Sequence, residues 1–280
     1  MIILLLGLLG IVFGSFVNAS VWRLHEQAAL EGKTGGSVSQ KRRALSITRG
    51  RSMCETCGHE LAVKDLVPLL SWLSLNGRCR YCRVSISVQN PIAELLMAVL
   101  FMISYAAWPL TFHGVGLFQF VFWLVFVMSF VGLALYDLQW FLLPDRVVLP
   151  VTLLAALQTV VVTLWRGSVA QLWQPVLAAV LIFGLFWLLF QASKGAWIGG
   201  GDVKLAAALG LLAATPLRAF LVIFLASLFG TLVSLPLLTR TGKRGLKTHI
   251  PFGPYLLLAT FVVVLYGSSI TNWYQNLLVG

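Results

Sequence analysis

Charge is what this 280-residue chain has least of: 10% of its residues are Asp, Glu, Lys or Arg, and only nine are acidic. A soluble domain wets its surface with roughly 25% charged residues. With 59% hydrophobic residues and a mean hydropathy of +0.91, this chain cannot build such a surface, so lipid must be its main solvent. Three further absences narrow the reading. No basic residue precedes the first apolar run, Met1 to Val21, whose cationic flank, Arg23, follows it. That order argues against a secretory signal and for a retained span with its N-terminus outside. Cysteine is missing everywhere except residues 54–82. A glycine-rich strand-to-helix nucleotide motif is missing altogether.

The charge that is present is lopsided. The net charge of +11 and the isoelectric point near 10.0 raise the question of nucleic acid, but the distribution answers it. Eleven of the 20 Lys and Arg lie between Arg23 and Arg83, and most others flank apolar runs. This is the positive-inside pattern of a membrane protein, with no nucleic-acid partner implied. Lys41, Arg42 and Arg43 are also placed to touch anionic headgroups.

The chain reads as an all-α polytopic membrane protein of about eight transmembrane helices with a small polar insert. Residues 1–22 form the first span, in which Gly10 and Gly14 are spaced for close helix packing. Residues 23–90 form the insert, with Gly and Ser clustered from Thr34 to Ser37. Residues 91–280 return to apolar runs: Ile92–Trp108, Gly116–Leu135, Val147–Trp165, Gln174–Ala192, Val203–Ala214, Leu217–Leu238 and Phe252–Ile270. The Val203 run is short against the roughly 20 residues a crossing takes, which suggests tilt or burial by neighbours. Eight crossings put one set of loops beside Arg23 to Arg83, Arg146, Lys194, Lys204 and the group Arg240, Lys243, Arg244 and Lys247. The other set has Arg166 and Arg218 alone. The insert and the loops at Asp137 and Asp202 are therefore expected in the cytoplasm, and both termini outside. The ten Trp are expected as interfacial anchors.

Scarcity makes the acids informative. Five lie in the insert, which leaves Glu94, Asp137, Asp145 and Asp202 among the spans. A carboxylate near hydrocarbon is costly, so one that persists there usually serves a purpose. Asp137 ends the long apolar run, and Asp202 follows Gly199-Gly200-Gly201 at a helix start. An N-cap is the plain alternative for Asp202 and the preferred reading of Asp145. Three adjacent glycines, however, expose more backbone than a cap requires. Two carboxylates at matched depth suggest a dyad sharing one proton, in which one member deprotonates water while the other protonates a scissile carbonyl. Intramembrane acids also mark ion pathways, so a proton-coupled transporter is a competing class. A third is a non-enzymatic scaffold with a zinc knuckle.

Cys54-Glu55-Thr56-Cys57 and Cys79-Arg80-Tyr81-Cys82 are two C-x-x-C pairs separated by about 20 residues, a spacing that signals a structural four-thiolate zinc site. His59 stands close by, but Cys54, Cys57, Cys79 and Cys82 already complete a tetrahedron. Glu94 reads as a charge near a helix N-terminus, and Lys204 as a residue that orients substrate or snorkels.

Taken together, these residues resemble the bacterial type IV prepilin peptidases, the leader peptidase/N-methyltransferases. The likeness runs through Gly14-Ser15-Phe16-Val17-Asn18, both cysteine pairs, Pro68 to Leu73, Pro91-Ile92-Ala93-Glu94-Leu95 and Leu142-Leu143-Pro144-Asp145. It continues through Gly199 to Lys204, which matches a G-x-G-D peptidase motif, and Ile250 to Tyr255. Asp65-Leu66-Val67-Pro68 departs from the Asn before Ile-Pro of many members. The resemblance implies removal of a basic leader from prepilins or pseudopilins at the cytoplasmic face of the bacterial inner membrane. It implies Asp137 and Asp202 as the catalytic pair, chosen over Asp145, with Gly199, Gly201 and Lys204 in support. It further implies methylation of the new N-terminus with S-adenosylmethionine, the cysteine insert being associated with this second activity. A peptidase lacking that activity is the alternative. The donor-binding residues are not legible, and Glu94 is the one polar group the sequence offers.

Overall fold

In the computed structural model, residues 1–33, 35–47, 49–241 and 250–279 are described; Lys243, Arg244 and Lys247 of the last basic group lie outside them. The chain is helical and divides into two compact units, Met1–Ala106 and Ala107–Gly280.

The first unit is built on α1 (Ile2–Ala28) and α4 (Gln89–Ala106), with α2 (Gly36–Ala44) and α3 (Leu70–Ser74) between them. Glycine decides how α1 meets α4. A side chain at Gly10 would come within 2.6 Å of the Ala98 Cα, and one at Gly14 within 2.6 Å of the Glu94 Cα. The two backbones therefore touch, as the spacing of those glycines predicts. Asn18 extends the contact by donating to Asn90 at 2.6 Å. The polar segment is tied to α1 by its backbone: Arg23 donates to the Ser46 carbonyl at 3.0 Å and Gln27 to that of Leu45 at 2.7 Å.

The second unit comprises α5 (Gly114–Trp140), α6 (Asp145–Trp165), α7 (Trp173–Ser193), α8 (Gly200–Ala213), α9 (Pro216–Thr241) and α10 (Gly253–Val279). At its centre is α8, against which α6, α7, α9 and α10 all pack. Its composition explains the position, because Ala206, Ala208, Gly210 and Ala213 are buried and let neighbouring backbones come close. At Gly210 a Cβ would collide with Ala179 of α7. The neighbours turn Leu153, Leu188 and Phe220 outward, an apolar exterior suited to lipid.

Among the described residues, seven helices are long and apolar enough to cross a membrane: α1, α4, α5, α6, α7 with the turn before it, α9 and α10. The eighth expected crossing is α8, and its 14 residues make about 21 Å of helix against roughly 30 Å of hydrocarbon. Packed among four helices, it would not need the length of a lipid-facing span in order to cross. Trp123 departs from the expected interfacial role, since it is 2% exposed and packs on Phe130 and Phe261 inside the second unit.

Candidate active site

Asp137 sits in the last turn of α5, one turn further into the helix than the apolar run implied. The helix stops at Phe141, which adopts a left-handed conformation (φ 56°) and returns its N–H to the Asp137 carbonyl at 2.8 Å. Leu142 and Leu143 then lead into Pro144, the residue that caps α6. Asp145 is accordingly not the N-cap it was expected to be. It is the first residue of α6, and its two oxygens take Lys204 Nζ at 2.8 and 2.7 Å. Lys204, about half exposed, is thus tied to the start of α6.

Asp202 is the third residue of α8, with Gly199 as N-cap. Its carboxylate accepts the Gly199 N–H, the reaching-back half of a capping box. The competing N-cap reading therefore has the right end of the helix and the wrong residue. The other carboxylate oxygen, Oδ1, is buried with no hydrogen-bond partner among the described residues. The three glycines serve different purposes. A side chain at Gly201 would press to 2.7 Å from Leu143 Cβ, so this glycine lets the α5–α6 connection lie against the start of α8. One at Gly199 would crowd Asp202 Oδ2 at 3.3 Å, whereas one at Gly200 would meet nothing closer than Phe190 at 3.7 Å.

Gly253, the first residue of α10, completes the arrangement. Its N–H donates to the Asp137 carboxylate. A Cβ built on it would stand 2.5 Å from Asp137 Oδ2 and 3.5 Å from Asp202 Oδ1. A path through that point is 2.5 plus 3.5 Å long, so the two oxygens lie no more than about 6 Å apart. Two carboxylates so placed, one with an unpartnered buried oxygen, can hold a water or a carbonyl between them. The sequence placed Gly253 in a motif without giving it a task; its left-out side chain was the only signal.

In the first unit the cysteines lie on two turns with the same backbone. Gly58 donates to the Cys54 carbonyl at 2.9 Å and Arg83 to that of Cys79 at 3.0 Å. Cys54 and Cys79 in turn donate to the carbonyls of His59 and Val84 at 2.9 and 2.8 Å. The residue after each pair is left-handed, Gly58 at φ 69° and Arg83 at φ 61°. All four Sγ atoms lie within 4.8 Å of one another, and those of Cys54 and Cys82 are 3.8 Å apart. Sulfurs bonded at about 2.3 Å to one tetrahedral ion are separated by about 3.8 Å, so the donor set fits a metal. The backbone N–H of Cys82, with that of Tyr81, lowers the Cys79 thiol to about 7, whereas at Cys82 the Val84 N–H is outweighed by burial and the hydrogen bonds shared with the other thiols, which push it up to about 11. The His59 ring lies on Tyr81 at a centroid distance of 3.7 Å, outside this set.

Glu94, on α4, is buried and accepts the Leu69 N–H at 2.7 Å and the Ser15 hydroxyl. It lines a cavity of about 470 Å³ in the first unit.

Comparison with known proteins places both units. Residues 8–108 match the Bacterial Peptidase A24 N-terminal domain, and residues 120–235 match the Type IV leader peptidase family. The prepilin leader peptidase/N-methyltransferase of Aeromonas salmonicida is 32% identical over 286 residues, covering 96% of this chain and 92% of the relative. The protein of the same name from Pseudomonas aeruginosa is 32% identical, covering 95% and 91%. A type 4 prepilin-like proteins leader peptide-processing enzyme of Escherichia coli is 31% identical, covering 91% and 90%. No solved structure matches the chain.

Proposed function

The chain belongs to the type IV leader peptidase family, and from that premise we propose that it cuts the leader from prepilins or pseudopilins and then methylates the exposed amine. The observation that carries the peptidase reading is the pair of carboxylates, Asp137 and Asp202, within about 6 Å across Gly253. One carboxylate takes a proton from water as the oxygen attacks the scissile carbonyl. The other gives a proton to the carbonyl oxygen, and collapse of the tetrahedral centre expels the amine with a returned proton. No covalent intermediate is required. The unpartnered Asp202 Oδ1 supports this use, because a buried oxygen without a donor lacks only the group that the substrate or its water brings.

The substrate's apolar helix would lie in the bilayer with its basic leader in the cytoplasm, beside the Asp137 and Asp202 loops. That sidedness is favoured by the cations Arg146, Lys194 and Lys204 near those loops. The membrane would be the bacterial inner membrane, with both termini outside. Zinc suits the four thiolates of Cys54, Cys57, Cys79 and Cys82 and would serve structurally, since a closed tetrahedron leaves no position for substrate. S-adenosylmethionine, when bound, would supply the methyl group.

The test is mass spectrometry of a prepilin incubated with the purified protein in detergent and lipid, with and without S-adenosylmethionine. Wild type should remove the leader and add one methyl group when the donor is present. Asp137→Asn and Asp202→Asn should each leave the prepilin intact. Cleavage by both variants would overturn the dyad, and cleavage without methylation would leave a peptidase alone.

A further inference from the structure

Among the described residues, Arg23 and Glu94 of the first unit are both buried without a charged partner. Arg23, 6% exposed, uses one of its N–H groups on the Ser46 carbonyl. A guanidinium carries five N–H groups, and among the described residues no carboxylate forms an ion pair with this one. Glu94, also 6% exposed, is held only by neutral donors, the Leu69 N–H and the Ser15 hydroxyl. Leu69 adopts φ 60° and ψ −53°, a conformation costly for a residue with a side chain, and closes a γ-turn in which the Leu70 N–H donates to the Pro68 carbonyl at 2.6 Å. Asp65, by contrast, is fully engaged by Arg80 at 2.7 Å, Tyr81 at 3.0 Å and the Ala62 N–H at 3.3 Å.

Arg23 and Glu94 line the same cavity of about 470 Å³, a volume within the range of small-molecule sites. Charges buried unpaired in a cavity wall are costly unless something entering the cavity pairs them. A molecule that carries both signs would pair both residues. Trp72 adds an aromatic surface to the same wall, and Asn18 a neutral polar group. Cys54 and Cys79, one from each cysteine turn, line it as well.

We propose that this cavity is the site of the methyl donor, with Arg23 receiving the carboxylate of S-adenosylmethionine and Glu94 facing its cationic portion. The assignment rests on the methyl-transfer reading above. The donor is one of few metabolites with a carboxylate beside an ammonium and a sulfonium, the charges that Arg23 and Glu94 complement, and its adenine suits the Trp72 wall. The cysteine turns then have a use beyond stabilising the insert, because a metal held by their thiolates fixes one side of the cavity.

Calorimetric titration of the full-length protein in detergent and lipid tests this, with S-adenosylmethionine and S-adenosylhomocysteine as the two probes. The second probe has a neutral thioether in place of the sulfonium. Arg23→Gln should weaken both probes about tenfold or more, as loss of a charge-assisted hydrogen bond does, and Arg23→Lys should recover part of the loss. Glu94→Gln should weaken S-adenosylmethionine and largely spare S-adenosylhomocysteine. That difference is one that mere misfolding would not produce, and unchanged metal content and unfolding temperature would confirm that the variants fold. Undiminished binding by both Arg23→Gln and Glu94→Gln would overturn the assignment, as would equal losses on the two probes in Glu94→Gln. A wild type that binds neither probe would overturn the methyl-transfer reading and this site with it.

Discussion

At Gly253 the difference between glycine and alanine is one methyl group placed 2.5 Å from Asp137 Oδ2. Real Cβ atoms do not approach that closely, so either the carboxylate or the start of α10 must move. A displacement of about 1 Å at reacting groups costs roughly a hundredfold in rate. Gly253→Ala should therefore lower kcat for leader removal by about that factor. KM should change little, because on the proposed reading the substrate is held mainly by its apolar helix in the bilayer. Gly200→Ala is the counterpart: its methyl would meet only Phe190 at 3.7 Å, and cleavage should stay within about twofold while the helix gains from alanine's better propensity. Equal damage by the two substitutions would show that glycine is needed at these places for some reason other than space. The glycines were conspicuous in the sequence, yet their separate roles were not legible. Each role depends on what stands opposite, Leu143 for Gly201 and Asp137 for Gly253, and those partners are far away along the chain.

Elements carry the next level of constraint. Lys204 lies two residues past Asp202 on α8 and Asp145 begins α6, so their ion pair joins the starts of those two helices. Both side chains are about half exposed, and such pairs contribute roughly 0–1 kcal/mol to stability. Lys204→Ala should thus hardly change the unfolding temperature, yet lower cleavage about tenfold by freeing the start of α8. The reversed pair, Asp145→Lys with Lys204→Asp, should recover part of the activity. No recovery would mean that Lys204 acts through something other than Asp145. The cysteine turns show the opposite balance of legibility. Their ligand spacing is local and announces itself in one dimension, and the structure brings the four sulfurs together as that spacing implies. Cys79→Ser removes the most buried ligand and should reduce metal content, measured by elemental analysis, to near zero. Full metal occupancy in that variant would sink the four-thiolate assignment. Of the proposed dyad only Asp202 had a local signature, the G-x-G-D motif, and family likeness rather than spacing selected Asp137 over Asp145.

For the molecule as a whole, the open question is which way each helix of the second unit runs, and α8 decides it. Composition marked every long span, because runs of apolar residues survive in one dimension. It was weakest at α8, whose 14 residues make sense only once its burial by α6, α7, α9 and α10 is known. If α8 crosses, the chain leaves Lys194 on the cytoplasmic side, passes Arg218 outside, and returns through α9 to Arg240, Lys243, Arg244 and Lys247 inside. If α8 does not cross, those last four cations are placed outside, against the positive-inside bias. A crossing by a buried short helix is the cheaper solution, since its neighbours rather than its own length fill the bilayer. Ala196 and Ala214, exposed residues before and after α8, report the difference. In intact spheroplasts a membrane-impermeant maleimide should label Ala214→Cys and leave Ala196→Cys unmodified until the membrane is opened, with peptide mapping separating these sites from the four native cysteines. Protection of both positions would mean that α8 enters and leaves on one side. The orientation of α9 and α10 would then be reversed, while Asp202 would remain beside Asp137 at the same face.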